Sequence, residues 1–158
     1  MLRATFPSIS VLMPTYEQSR FIRRALDSLL AQTLTDWEAI IVDDGSQDAT
    51  AQAVSSYLHD DRICYHKFSE NKGLGKALNE GLANAKAPLV AYLPSDDVYY
   101  RDHLHSLKTC LETATESVLA YAGVRHHYNR HAVGRIPGFP LQLVQCLHRK
   151  TAVCWTER

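Results

Sequence analysis

Ile40-Ile41-Val42-Asp43-Asp44-Gly45-Ser46 is an apolar run that ends abruptly in two carboxylates and a glycine. The pattern returns in Leu89-Val90-Ala91-Tyr92-Leu93-Pro94-Ser95-Asp96-Asp97, where a second apolar run ends in a second acidic pair. Short, continuous apolar runs suit strands buried on both faces, as in a parallel sheet covered by helices. In such sheets ligands bind in the crevice at the carboxyl ends of the strands. Two acidic pairs brought to that edge can hold a divalent metal and the hydroxyl or imide groups of a nucleotide. One pair alone reads equally well as a polar strand exit or a helix cap. Their recurrence favours a site.

Outward from these runs the chain keeps alternating. Ile9 to Met13 reads as a strand, which Pro14 is expected to stop because proline has no ladder donor. From Ser19, the pairs Phe21/Ile22, Ala25/Leu26 and Leu29/Leu30 predict one helical stripe. Glu38 to Val42 is the second strand, and Ser46 or Asp48 is placed to cap a helix from Ala51 to about Tyr57. Ile63 to Phe68 is a third strand. Gly73 to Lys86 predicts a helix with Leu74, Ala77, Leu78 and Leu82 inward, ending before Pro88. Leu89 to Leu93 is a fourth strand. A helix from about Asp102 carries Leu104, Leu107 and Leu111, and Ser117 to Val124 reads as a further strand.

After Tyr128 the pattern weakens. Gly134, Pro137, Gly138 and Pro140 predict a loop, and Leu141 to Leu147 fits a short helix or a strand. Strands alternating with helices predict βαβ units, hence an α/β fold: a Rossmann-like three-layer α/β/α sandwich with a mostly parallel central sheet. No repeat, linker or low-complexity segment divides the chain, so residues 1–158 are expected to form a single domain.

Composition excludes several classes of partner. Lys plus Arg and Asp plus Glu are 17 each, which leaves no electrostatic footprint for nucleic acid or an anionic membrane. Hydrophobic residues at 46% and charged residues at 22% are ordinary for a globular chain that can bury a core. Cys64, Cys110, Cys146 and Cys154 show no C-x-x-C spacing, so reduced thiols and a cytoplasmic location are expected. No apolar run forms a signal peptide, and none approaches the about 20 residues that span a bilayer.

The order of motifs resembles family 2 glycosyltransferases, whose fold is the GT-A nucleotide-sugar-binding fold. Val11-Leu12-Met13-Pro14-Thr15-Tyr16 looks like that family's opening strand and loop. Ile41 to Thr50 is similar to its V-D-D-G-S-x-D-x-T signature, and Asn71-Lys72-Gly73-Leu74 with Ala77, Asn79 and Gly81 to its N-x-G and A-x-N-x-G segment. Leu93-Pro94-Ser95-Asp96-Asp97 stands where the family carries its D-x-D metal motif. Each block alone is weak. Together, in order and at the family's spacing, they are specific, and they cover roughly the first two-thirds of the chain.

The resemblance implies glycosyl transfer, with inversion, from a nucleoside diphosphate sugar, most simply a UDP-sugar, to an acceptor hydroxyl. A divalent cation, Mn²⁺ or Mg²⁺, would stabilise the charge left on the diphosphate. By position, Asp97 matches the family's metal ligand, Asp96 its ribose contact and Asp43 its base contact. Pro14, Thr15, Tyr16, Glu17, Asp44 and Ser95 lie beside them as donor-binding candidates, and the Tyr16 ring can pack on the base. Adjacent carboxylates repel when both ionise, so a metal or sugar hydroxyl between them relieves a cost. Lys76 reads as a diphosphate contact or as a solvated lysine at a helix start. Asn79 lines the donor pocket or bonds locally.

The chain departs from the family at several positions. Glu17 replaces the Asn that often follows P-T-Y, Pro94 replaces the first acid of D-x-D, and Leu78 replaces an Arg that contacts phosphate. The family's general base lies in an acidic motif downstream. Leu147 to Arg158 resembles the segment before that motif, with Glu157 its only acid, so the base is expected beyond Arg158 and the domain is expected to be cut short of its acceptor half. Such a cut can expose apolar surface and lead to a homo-oligomer.

A competing reading is a non-catalytic nucleotide-sugar-binding or interaction module. A nicotinamide-dependent enzyme lacks its G-x-G-x-x-G after the first strand, and a nucleotidyltransferase its Gly-rich basic loop. His126 and His127, adjacent on one strand, point to opposite faces and make poor joint ligands; with His131 they read as surface residues. Trp37 and Trp155 read as core or interface packing. The acceptor is not legible in the sequence.

Overall fold

The computed structural model describes residues 6–114, 116–122 and 146–150. Within them run β1 (Ile9–Thr15), α1 (Ile22–Leu30), β2 (Trp37–Asp43), α2 (Thr50–Ser55), β3 (Ile63–Lys67), α3 (Leu74–Asn84), β4 (Leu89–Tyr92), α4 (His103–Thr113), β5 (Leu119–Tyr121) and β6 (Cys146–Arg149). The strands form one sheet in the order β3-β2-β1-β4-β6-β5. β3, β2, β1 and β4 are parallel, and β6 runs antiparallel to both β4 and β5.

This order positions the site. The chain steps outward from β1 through β2 to β3, then returns to lay β4 on the other flank of β1. The reversal between β1 and β4 opens a crevice at their carboxyl ends.

Side chains on β1 alternate between two cores, as the pleat requires. Ile9, Val11 and Met13 pack on one face with Leu26 and Leu29 of α1, Val54 of α2 and Leu104, Leu107 and Leu111 of α4. Leu12, Ile40, Val42 and Val90 pack on the other with Ala77 and Leu78 of α3. Two helical layers therefore sandwich the sheet, and the expected three-layer α/β/α fold with a mostly parallel sheet is the one that forms. Trp37 belongs to the core at 2% exposure, with the Arg62 guanidinium 3.9 Å from its ring centre.

Three expectations need correction. Pro14 does not stop β1, which runs on to Thr15. The Leu12 carbonyl accepts the Leu93 N–H at 3.0 Å, so even-numbered residues of β1 face β4. β4 ends at Tyr92, so the donor that Pro14 lacks would have faced a flank already past its ladder.

Leu74, expected inward, is 55% exposed at the start of α3. Of the two expected caps Ser46 is not one; Asp48 Oδ1 accepts the N–H of Thr50, the first residue of α2, at 2.9 Å, although the N-cap position itself is Ala49. The predicted late strand is β5, and of Leu141 to Leu147 only the end lies within the described residues, where it enters the antiparallel β6. Among the described residues no helix is long and apolar enough to cross a membrane.

Candidate functional site

A cavity of about 330 Å³ lies over the crevice between β1 and β4. Three strand exits and one helix entrance build it. Pro14, Thr15, Tyr16 and Gln18 come from the end of β1, and Asp44 from the end of β2. Asn71, Gly73, Leu74 and Ala77 come from the start of α3, and Tyr92, Pro94, Ser95 and Asp96 from the end of β4. Apolar walls with a few converging polar groups are the usual make-up of a small-molecule site.

The first acidic pair divides its work between two places. Asp43 is fully buried and lies outside the cavity lining. Its Oδ1 accepts the Ser46 N–H at 2.7 Å, its Oδ2 accepts the Tyr65 hydroxyl at 2.5 Å, and the Lys67 ammonium stands 4.0 Å away. Burial, then the hydrogen bond to Asp43 and its charge, push the Tyr65 phenol well above the ordinary tyrosine range.

Asp44, one residue on, reaches the cavity. Its Oδ1 accepts the Lys72 N–H at 2.6 Å and its Oδ2 the Gly73 N–H at 2.9 Å, which leaves lone pairs for a ligand donor. The Gly73 N–H is therefore occupied, by Asp44 and by Asn71 Oδ1 at 3.1 Å. Gly45 makes the turn at φ +81°, and a Cβ there would stand 2.4 Å from the Glu70 carbonyl carbon. Only glycine lets the two loops close on each other.

The loop after β1 is held by the same signature. Glu17, at φ 56°, donates its N–H to Ser46 Oγ at 2.9 Å, and its carboxylate accepts the Gln47 N–H at 3.0 Å. Gln18 N–H donates to Thr50 Oγ1 at 3.0 Å, and Ser19 N–H to Asp48 Oδ2 at 3.1 Å. Burial alone would raise the Asp48 pKa, but hydrogen bonds from Thr50 and Ser19 outweigh it and hold it at about 2. Ser46 and Asp48 thus bridge two loops, a role hidden from the sequence because their partners lie some 30 positions away.

The second acidic pair stands at the opposite rim. Ser95 is buried, Asp96 is exposed in the lining, and Asp97 is half-buried beside it, its N–H donating to the Pro94 carbonyl at 3.1 Å. The Tyr92 phenol is pushed up to about 12, first by burial and then by the charges of Asp96 and Asp97. Thr15 Oγ1, in the lining between the two acidic pairs' strands, is buried without a hydrogen-bond partner among the described residues. A buried hydroxyl left this way favours a ligand that bonds to it.

Of the predicted contacts, Pro14, Thr15, Tyr16, Asp44, Ser95 and Asp96 come together around one cavity. Asp43, Glu17, Asp97 and Lys76 lie outside its lining. Lys76 faces a neighbouring groove with Phe68, Lys72, Asn79 and Glu80. Gln18, Leu74 and Tyr92 line the cavity without having been singled out for it. Tyr92 was visible within the strand read just before an acidic exit; Gln18 had no signal. His126, His127, His131, Trp155 and Glu157 lie outside the described residues.

Among the described residues no three His, Cys, Asp or Glu side chains gather into a metal cage. Mg²⁺ and Mn²⁺ need only one or two protein carboxylates when phosphates and water complete the shell. Asp96 at the rim and Asp97 beside it fit that partial donor set.

A profile of the family described as Glycosyl transferase family 2 matches residues 10–152. An uncharacterized glycosyltransferase of Rickettsia typhi is 38% identical over 118 residues, covering 74% of this chain and 36% of the relative. Glycosyltransferase GlyA of Streptococcus pneumoniae is 36% identical over 99 residues, covering 63% of this chain and 14% of that protein. The chain spans about a third of the length of the Rickettsia typhi relative.

Among solved structures, S. aureus TarS in complex with UDP superposes with a TM-score of 0.72 at 24% identity, over 90% of this chain and 47% of TarS. The mannosyltransferase PcManGT of Pyrobaculum calidifontis, in complex with GDP-Man and Mn²⁺, gives 0.69 at 27% identity, over 75% of this chain and 36% of that one.

Proposed function

The chain belongs to glycosyl transferase family 2, and from that premise we propose that residues 1–158 form a single nucleotide-sugar-binding domain that places a sugar for transfer to an acceptor hydroxyl. One observation carries the reading. Asp44, Ser95, Asp96 and the unpartnered Thr15 hydroxyl arrive from three strand exits and meet around one cavity at the switch point of the sheet. A nucleoside diphosphate sugar asks for that mixture: a flat base, ribose hydroxyls and a diphosphate.

Tyr16, about half exposed at the mouth, packs on the base, while Thr15 and Asp44 supply its hydrogen bonds. Ser95 and Asp96 take the ribose. Asp43 and Glu17 act one step back: Asp43 fixes the turn that presents Asp44, and Glu17 closes the β1 loop onto residue 47. Lys76, on the adjoining groove, contributes charge toward the diphosphate. Asp97, with Asp96, would hold a divalent cation, Mn²⁺ or Mg²⁺, which when bound stabilises negative charge developing on the diphosphate.

In the transfer, the acceptor oxygen attacks the anomeric carbon from the face opposite the diphosphate, and the bond to the diphosphate breaks with inversion. The hydroxyl proton passes to a general base that no described residue supplies. TarS with UDP and PcManGT with GDP-Man and Mn²⁺ support the donor class. A UDP-sugar is the proposed donor, and a cytoplasmic setting suits the free thiols of Cys64 and Cys110.

Calorimetric titration with UDP and with GDP, each with and without Mn²⁺, tests this. Binding of one nucleotide, strengthened by Mn²⁺ and lost in Asp97→Ala, is the expected result. A folded chain that binds neither overturns the reading.

A further inference from the structure

The Tyr92 carbonyl, at the end of β4, faces away from β1, because the next residue, Leu93, donates its N–H to Leu12. On that outer flank, among the described residues, β6 pairs with β4 over Leu89 to Ala91. Tyr92 is therefore one residue past its ladder. The hydroxyl of Tyr99 supplies the missing donor, at 2.8 Å. The bond closes residues 93–98 into a loop pinned at both ends, and Ser95, Asp96 and Asp97 lie within it.

Tyr99 is itself held on every side. It is 6% exposed, and its ring stacks on His103 with centroids 4.2 Å apart. Burial keeps His103 neutral, with its pKa down at about 4 against the opposing charge of Asp102. The Tyr99 N–H donates to Ser28 Oγ at 3.0 Å. Just beyond, the buried Gln32 amide donates to the Tyr100 carbonyl at 2.7 Å and accepts the Leu104 N–H at 3.1 Å. The end of α1 thus grips the segment from which Tyr99 reaches back.

We propose that Tyr99 is a positioning residue whose hydroxyl latches the 93–98 loop, and so sets where Ser95, Asp96 and Asp97 stand before any ligand arrives. The inference rests on the reading of that loop as the ribose, diphosphate and metal end of the donor site. It makes a claim that a merely structural tyrosine does not: loss of one oxygen weakens the diphosphate end and spares the base end.

Tyr99→Phe keeps the ring and its stack on His103, and removes only the hydroxyl. With Mn²⁺, the nucleoside diphosphate that the wild type binds should bind Tyr99→Phe about tenfold more weakly, the equivalent of one hydrogen bond of about 1.4 kcal/mol. The matching nucleoside, which keeps the ribose but lacks the diphosphate, should lose distinctly less. Amide hydrogen exchange should quicken at residues 95–98 and stay unchanged in β1 and β2. Ser28→Ala, which frees the Tyr99 N–H, should show the same split with a smaller amplitude.

Equal weakening of nucleoside and diphosphate, or unchanged exchange at 95–98, overturns the latch. If the wild type binds neither UDP nor GDP, the donor-site reading fails, and the exchange data still decide whether Tyr99 holds the loop.

Discussion

Asp44 Oδ2 accepts the N–H of Gly73 at 2.9 Å, while its Oδ1 takes that of Lys72, so the exit of β2 and the entrance of α3 are fastened by one carboxylate. Asp44→Asn tests that fastening. An amide presents one acceptor where two N–H groups need one each, so either the Lys72 N–H loses its carboxylate partner or the Gly73 N–H keeps only Asn71 Oδ1, at 3.1 Å. The expected cost is about 1–3 kcal/mol of stability by chemical denaturation. Nucleotide binding should fall at least tenfold, because the loop and the proposed base contact change together.

Gly45 and Gly73 both have positive φ, at +81° and +91°, but their surroundings differ. A Cβ at Gly45 meets the Glu70 and Asn71 backbone, whereas nothing lies within 4 Å of one at Gly73. Gly45→Ala should cost about 2–4 kcal/mol, since strain and overlap add. Gly73→Ala should cost about 1–3 kcal/mol from backbone strain alone. Paired urea melts of the two variants read the difference directly.

Asp48 makes stability depend on acid. Its folded pKa of about 2 lies below the ordinary 3.8, so its contribution is present above pH 3.8 and is lost as pH falls toward 2. Asp48→Asn should be less stable than the wild type at neutral pH, and the gap should narrow across that window. Denaturant midpoints measured from pH 5 downward give the comparison. A gap that is constant with pH would show that the bonds to Ser19 and Thr50 are indifferent to the charge.

Tyr65→Phe removes a donor from the buried Asp43 carboxylate. The loss should be about 1–3 kcal/mol, because the carboxylate stays in place with less to compensate its burial. In the wild type, ultraviolet titration should find several tyrosines that ionise above the ordinary range, Tyr65 and Tyr92 among them, and the highest of these signals should vanish in the variant.

Much of the architecture was legible because it rests on local periodicity. The apolar continuity of Ile40-Ile41-Val42 requires burial on both faces, and Leu104, Leu107 and Leu111 mark one side of a helix; both predictions hold. What escaped the sequence was set by distant partners. Nothing local shows that Pro14 faces a flank where no ladder donor is needed. Leu74 fits the stripe of α3 yet opens onto the cavity, because the helix begins at the pocket mouth.

The acidic pair at 43 and 44 shows the same limit more sharply. Successive strand residues point to opposite faces, so both cannot enter one cavity, but which one does depends on the register at the exit. The motif names the pair, and the packing of Tyr65 and Lys67 selects its member.

The cavity draws its walls from Pro14 to Asp96, across strands that neighbour in space but stand some 80 positions apart in the chain. Joining β1 to β4 is therefore a long-range closure, costly in chain entropy. A molecule seated there spans that seam and stabilises the assembled sheet by mass action in proportion to its affinity. Ligand-induced shifts in melting temperature thus double as a gauge of whether the sheet has been stitched shut, and a chain that folds through β3 yet leaves β4 undocked would be blind to nucleotide.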